Sequence, residues 1–181
     1  MIIGIGIVAG AIIVLAGVFF GILVITEYRP AEIEQAEIKY HTGSLPQLSD
    51  ADRPAVPALR KPSRGVPFSL LSWNAGYASL DESRDFFMDG GKNIRPANSA
   101  DITRNLAAIG EFITGADCEV IMLQEIDVAS RRSYYIDQAA YLAEYFSENE
   151  SRTGEACSSV FAYNFRCLCV PFPFPEFIGR V

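Results

Sequence analysis

The N-terminal 26 residues constrain this chain most, because no side chain from Met1 to Thr26 carries a charge. A run of that length exceeds the roughly 20 apolar residues that cross a bilayer as a helix. A cleavable signal peptide is the competing interpretation. The run is longer than the apolar part of a typical signal peptide, no Lys or Arg precedes it, and Glu27-Tyr-Arg-Pro30 is a poor cleavage site. We therefore predict an uncleaved single-pass membrane anchor over residues 1–26.

The charge of the chain limits its partners. The 181 residues carry a formal net charge of -7, which disfavours binding to bulk nucleic acid, since that requires a basic surface. Arg29 and Lys39 follow the anchor and no basic residue precedes it. This pattern favours a cytoplasmic C-terminal part, but two residues are too few to assign a side of the membrane.

Residues 27–67 have a different character, with prolines recurring among charged and small residues. Proline blocks helix propagation and favours extended backbone. We predict a Pro-rich linker over this range. It contains His41, the only histidine of the chain, which we expect to be solvated rather than catalytic.

A globular domain is predicted from residue 68 to residue 181, beginning with a strand, a helix and a second strand. The first strand, Phe68–Asn74, alternates in polarity and ends at a glycine turn. The second strand is a continuous apolar run, Val120–Leu123, typical of a strand buried on both faces. Between them, apolar residues recur with helical spacing at Ile102, Leu106, Ile109 and Ile113, with Ser99 or Asp101 as cap and Gly115 at the end.

A strand–helix–strand crossover makes its two strands parallel, so their carboxyl ends lie at one edge of the sheet. We therefore expect Asn74 and Glu125 to share that edge. Ligands bind at such edges in open α/β sheets, and a carboxylate held there is a suitable Mg²⁺ or Ca²⁺ ligand. The alternative is that Glu125 and Asp127 simply begin a solvated loop.

The remaining sequence predicts a helix over 136–146, capped by Ser133, and a third strand over Val160–Tyr163. The last 15 residues are apolar, interrupted by proline and without an evident closing element. We expect the sequence to be a truncated form of a longer chain.

Taken together, the motifs resemble the endonuclease/exonuclease/phosphatase superfamily of deoxyribonucleases, inositol-phosphate phosphatases and sphingomyelinases. The resemblance lies in Ser72-Trp-Asn74, Asn105-Leu106 and Leu123-Gln-Glu-Ile-Asp127. It implies an α/β fold, namely a partial α/β sandwich built on a mixed sheet, with the C-terminal half missing and one transmembrane helix in front.

The resemblance also implies roles for individual residues. Glu125 is similar to the family's metal ligand, usually for Mg²⁺, with Ca²⁺ or Mn²⁺ as alternatives, and Asn74 to the Asn that helps place metal and phosphate oxygens. Such a metal neutralises charge on a phosphoester while water attacks. Arg132 and Tyr134 are candidate phosphate-binding residues, although a solvated basic turn before the next helix explains them equally well.

One departure from the family affects the expected activity. Its members use a catalytic His, its Asp partner and further polar residues on later strands, whereas this sequence has no His after His41. We expect a membrane-anchored phosphoesterase of lipid headgroups or small phosphorylated molecules, rather than of duplex DNA, that is inactive in this form. The alternatives are a non-catalytic membrane-tethered module that binds a partner through Val170–Val181, or an incomplete gene product.

Overall fold

A computed structural model describes residues 2–41, 64–82, 85–149, 157–173 and 177–181. The first helix, α1 (Ile2–Thr26), is long and apolar enough to cross a bilayer, and none of its membrane-length window is buried by the rest of the structure. The expected long apolar helix is therefore confirmed, and its role as an uncleaved anchor stays a prediction.

The range predicted as linker contains a strand. Strand β1 (Ile38–His41) pairs antiparallel with the last strand, Cys157–Val160. His41 is half-buried, and its Nε2 lies 2.8 Å from the hydroxyl of Ser159. Burial lowers the pKa of this imidazole, and the charge of Lys39 lowers it further. The expectation that His41 is solvated was thus wrong. Residues 42–63 of the predicted linker lie outside the described structure.

The predicted strand–helix–strand unit is confirmed. Strand β2 (Leu70–Asn74) and strand β3 (Val120–Gln124) are parallel and joined through helix α2 (Ser99–Ala116). The four apolar residues expected on one face of α2 are all buried, at Ile102, Leu106, Ile109 and Ile113. The caps differ from the prediction, because Asn98 Oδ1 accepts from the Asp101 amide and Asp117, not Gly115, is the left-handed residue at the end.

Within the described residues, only one face of the β2–β3 sheet is covered. Leu71, Trp73 and Leu123 pack against the core that α2 forms. On the other face, Leu70 is 48% exposed and Met122 is 50% exposed. The prediction of a strand buried on both faces was therefore wrong for β3, since none of the described elements covers this second face.

The next helix starts later than predicted. Helix α3 (Gln138–Asn149) begins after Asp137, whose Oδ1 accepts from the Ala140 amide, while Ser133 lies buried in a short 3₁₀ turn before it. Helices α2 and α3 approach closely at Gly110, where an added Cβ would lie 2.6 Å from the Tyr145 ring.

Strand β4 (Cys157–Val160) ends where the third strand was expected to begin. The described residues form two separate two-stranded sheets, β1–β4 antiparallel and β2–β3 parallel, rather than one mixed sheet. The fold is α/β.

The C-terminal segment is folded back on the domain. Cys167 and Val181 exchange backbone hydrogen bonds of 2.9 and 3.1 Å, and Val170 bridges to Gly179. The amide of Arg131 donates to the carbonyl of Arg180 at 2.9 Å. The final residues therefore have the closing contacts that the sequence did not reveal.

Candidate functional site

The carboxyl ends of β2 and β3 lie level with one another, as the sequence predicts. Asn74 is paired with Gln124 in the parallel register. Beyond the strands, the Ala75 amide donates to the Gln124 carbonyl at 2.9 Å, and the Tyr77 amide donates to the Glu125 carbonyl at 2.7 Å. We call the segments 74–78 and 124–127 the rim. The rim brings Asn74 and Glu125 to the same edge of the sheet.

Asn74 organises the loop that follows it. Its Oδ1 accepts from the Gly76 amide at 2.9 Å. Gly76 has φ 53°, and an added Cβ would lie 2.8 Å from the Leu80 side chain, so both the backbone and the space favour glycine there. Since the Oδ1 accepts from the backbone, the amide NH₂ is the part of the Asn74 side chain that has no hydrogen-bond partner among the described residues.

Glu125 leaves the strand by a sharp turn, with a left-handed backbone at φ 55°. Its carbonyl is held by Tyr77, whereas its half-exposed carboxylate forms no hydrogen bond or ion pair with another described residue. The backbone at Glu125 is therefore fixed, and the carboxylate oxygens remain available to a ligand.

Asp127 is paired with a residue of the protein and is not placed as a metal ligand. It is 4% exposed and accepts twice from Arg132, from Nε at 2.9 Å and from Nη2 at 2.8 Å. Such bidentate pairs are strong and directional. Asp127 is therefore neither a solvated loop carboxylate nor free to join Glu125 as a second ligand.

Arg132 also stacks on Tyr77, with its Cζ 3.3 Å from the ring centroid. Burial by itself lowers the pKa of Arg132, but hydrogen bonding to Asp127 and the charge of Asp127 outweigh it, so the pKa lies above its usual value. Burial raises the pKa of the Tyr77 phenol; the Arg132 charge opposes this rise and the Glu125 charge adds to it. Both groups keep their usual protonation states at neutral pH.

Gln138 is a site residue that sequence reasoning missed. It is completely buried, its Oε1 accepts from the Asp127 amide at 2.9 Å, and its Nε2 donates to the Tyr77 carbonyl at 2.6 Å. One amide side chain therefore joins the two segments of the rim. The available signal was a glutamine at the start of a helix, on its apolar side.

The other candidate residues support the rim from outside. The Tyr134 hydroxyl donates to the Pro96 carbonyl at 2.7 Å, and Asn105 Nδ2 donates to the Ala78 carbonyl at 3.0 Å. The predicted phosphate-binding residues Arg132 and Tyr134 thus have partners within the protein. Arg132 contacts the rim at Asp127 and Tyr77, whereas the Tyr134 hydroxyl is bonded to the loop before α2.

Backbone strain is concentrated at the rim and in the loop after it. Of the non-glycine residues with positive φ that the structure describes, all but Asp117 lie there, namely Tyr77, Ala78, Glu125, Ala129, Tyr134 and Tyr135. Each such conformation costs on the order of 1–3 kcal/mol, and strain of this kind clusters at functional sites. Buried contacts such as the Asp127–Arg132 pair offset this cost.

The described residues contain no group of three or more His, Cys, Asp or Glu side chains that could hold a metal ion. Within the same residues, His41 is bonded to Ser159 and shares no hydrogen bond with the rim. Comparison with known proteins adds no assignment, because no family model, curated protein or solved structure matches this chain.

The buried pair can be tested by double substitution. Arg132→Met leaves the Asp127 carboxylate buried without its partner, so we expect a loss of about 3–5 kcal/mol in the free energy of unfolding. Asp127→Leu/Arg132→Met removes both charges and should recover most of that loss. Urea unfolding of the full chain in nanodiscs, followed by Trp73 fluorescence, measures both.

Arg104→Met is the matched control for this cycle. Arg104 is 65% exposed and pairs with Asp101 at 2.9 Å on the surface of α2, so its loss should cost less than about 1 kcal/mol. If Arg132→Met cost no more than this control, the Asp127–Arg132 pair would not be holding the rim.

Proposed function

We propose that this chain is a membrane-anchored, metal-dependent phosphoesterase domain, in which Glu125 holds the metal and Asn74 binds a phosphate oxygen. The observation that carries the proposal is the level pairing of the β2 and β3 ends, which brings Asn74 and Glu125 to one edge of the sheet. In open α/β sheets this edge is where ligands bind. The domain would be the N-terminal part of the α/β sandwich of the endonuclease/exonuclease/phosphatase superfamily.

The donors at the rim fit Mg²⁺ better than a metal that needs a closed protein cage. Magnesium usually keeps several waters and is held by one or two carboxylates together with substrate phosphates. Glu125 supplies one carboxylate, and the Asp127–Arg132 pair removes the other nearby one. A bound Mg²⁺ would supply Lewis-acid stabilisation of charge on the phosphoester.

The protein groups then have separate tasks. The Tyr77–Glu125 backbone bond and the αL turn fix the backbone that carries the carboxylate, and the Asn74 NH₂ would donate to a non-bridging oxygen without introducing a proton to be transferred. His41, held by Ser159 on the other sheet, is not proposed as the base. The inactivity expected from the sequence would then be a rate lowered by the contribution of a general base, typically 10²–10⁴-fold, and not a rate of zero.

The membrane and the charge favour one class of substrate. We propose that α1 anchors the chain instead of being cleaved. An acidic domain with net charge -7 on a membrane is better suited to lipid headgroups or small phosphorylated molecules than to duplex DNA, whose binding depends on basic side chains.

Glu125→Gln tests the metal ligand, because it keeps the shape of the side chain and removes its charge. We expect Mg²⁺-dependent release of nitrophenol from bis(p-nitrophenyl) phosphate to be lost, with Mg²⁺ binding in calorimetry weakened at least about 10-fold. Nitrophenolate leaves readily, so the assay does not require a general acid. Glu111→Gln, at an exposed position of α2, is the matched control and should retain both properties. Equal behaviour of the two variants would exclude Glu125 as the ligand.

Asn74→Asp tests the second residue while preserving the turn. The new carboxylate can still accept from the Gly76 amide, but it lacks the NH₂ donor and repels phosphate. We expect the Mg²⁺-dependent rate to fall by about 10²-fold, as for loss of one preorganised donor, with the thermal transition nearly unchanged. An unaffected rate would remove Asn74 from the site, and a large loss of stability would point to a purely structural role.

A further inference from the structure

The chain that leaves α1 is attached to the domain almost at once. The helix ends at Thr26, and the amide of Tyr28 donates to the carbonyl of Arg166 at 2.8 Å. Strand β1 begins at Ile38, twelve residues after Thr26, and pairs with β4. The segment after α1 is therefore held to the domain at both of its ends, at Tyr28 by the stretch after β4 and at β1 by β4 itself, so a freely swinging linker does not separate the helix from the domain.

Aromatic and cationic side chains gather at this attachment. The Tyr28 and Tyr163 ring centroids are 5.8 Å apart, and Phe161 lies 5.0 Å from Tyr163. The Cζ of Arg166 is 5.8 Å from the Tyr28 ring centroid and 5.1 Å from that of Tyr163. We call Tyr28 and the segment Phe161–Leu168 the juxtamembrane patch.

The same patch exposes apolar side chains beside its charge. Phe165 is 45% exposed and Leu168 is 54% exposed, and the Arg166 side chain between them is exposed as well. Tyrosine with other aromatic residues, flanked by arginine, is the composition that proteins place at membrane–water interfaces.

The position of the patch identifies what covers it. Tyr28 lies two residues after the end of α1, and two residues of extended chain span at most about 7 Å. Because the Tyr28 amide donates to the Arg166 carbonyl at 2.8 Å, that carbonyl is at most one hydrogen-bond length further from the helix end. The interfacial layer on each side of the hydrocarbon is about 5–8 Å thick. If α1 spans the bilayer, the backbone of Arg166 is therefore at the depth of the lipid headgroups.

We propose that the juxtamembrane patch is a lipid-docking surface that inserts into the headgroup layer of the membrane that α1 crosses. The domain would then sit on the bilayer in a fixed orientation, with Phe165 and Leu168 at the boundary of the acyl chains and Arg166 beside lipid phosphates. This inference rests on the proposed membrane-spanning role of α1 and is independent of the proposed hydrolytic activity.

The experiment places single tryptophan reporters in the full chain, in a Trp73→Phe background, in phosphatidylcholine nanodiscs with plain or brominated acyl chains. Phe165→Trp and Leu168→Trp both report on the patch. If one variant does not fold, the other can still be measured. Ile13→Trp reports on the centre of α1, and Met88→Trp, at a site 74% exposed on the domain, reports on the solvent side. Circular dichroism checks the fold of each variant.

We expect the reporter at position 165 or 168 to lose about half of its emission in brominated lipid, as an interfacial side chain would, and the one at position 88 to lose almost none. Arg166→Glu should reduce quenching at position 165 by about two-fold, because it repels lipid phosphate. Arg104→Glu makes the same charge change at an arginine of α2 that is 65% exposed and should leave quenching unchanged.

Two other outcomes would overturn the proposal in different ways. Strong quenching at position 13, with positions 165 and 168 no more quenched than position 88, would refute docking and leave the membrane span intact. Absence of quenching at all four positions would refute both. Neither result depends on phosphoester hydrolysis, so failure of the docking proposal is distinguishable from failure of the proposed activity.

Discussion

The rim depends on the buried ion pair between Asp127 and Arg132. The pair fixes the loop after β3, and through the stacked Tyr77 ring it also fixes the loop after β2. Gln138 adds an uncharged bridge between the same two loops. Burying two charges is costly unless their geometry is good and their remaining hydrogen-bonding groups are satisfied. Here the bidentate contact meets the first condition, and the result is a strained but well-supported turn that leaves the Glu125 carboxylate available.

Two parts of the fold constrain that site in different ways. The parallel pairing of β2 and β3 determines where Asn74 and Glu125 lie, while the β1–β4 ladder and the Tyr28–Arg166 bond keep the domain close to the end of α1. A phosphoesterase held in this way would meet substrates in or near the headgroup layer. The docking surface and the proposed substrate class therefore agree, although they rest on separate observations.

Much of the central unit could be predicted from the sequence, because its signals are local and periodic. The buried face of α2 and the parallel order of β2 and β3 follow from such patterns. Strand β1 could not be found in this way, since four residues within a proline-rich range carry little periodicity and their partner lies more than 100 residues further along the chain. The role of Arg132 was hidden for a similar reason: its partner is five residues away across an irregular loop, where no spacing rule applies.

The most direct test of the account is where a divalent metal binds on the intact chain. Mn²⁺ can replace Mg²⁺ at oxygen ligands, and it broadens the NMR signals of nearby nuclei. In a titration of the isotopically labelled full chain in nanodiscs, the account predicts that the Glu125 backbone amide and the Asn74 side-chain amide broaden first. The Asp101 amide on α2 should be unaffected at that stage. Broadening that begins elsewhere, or that is uniform over exposed carboxylates, would contradict a metal site at the rim.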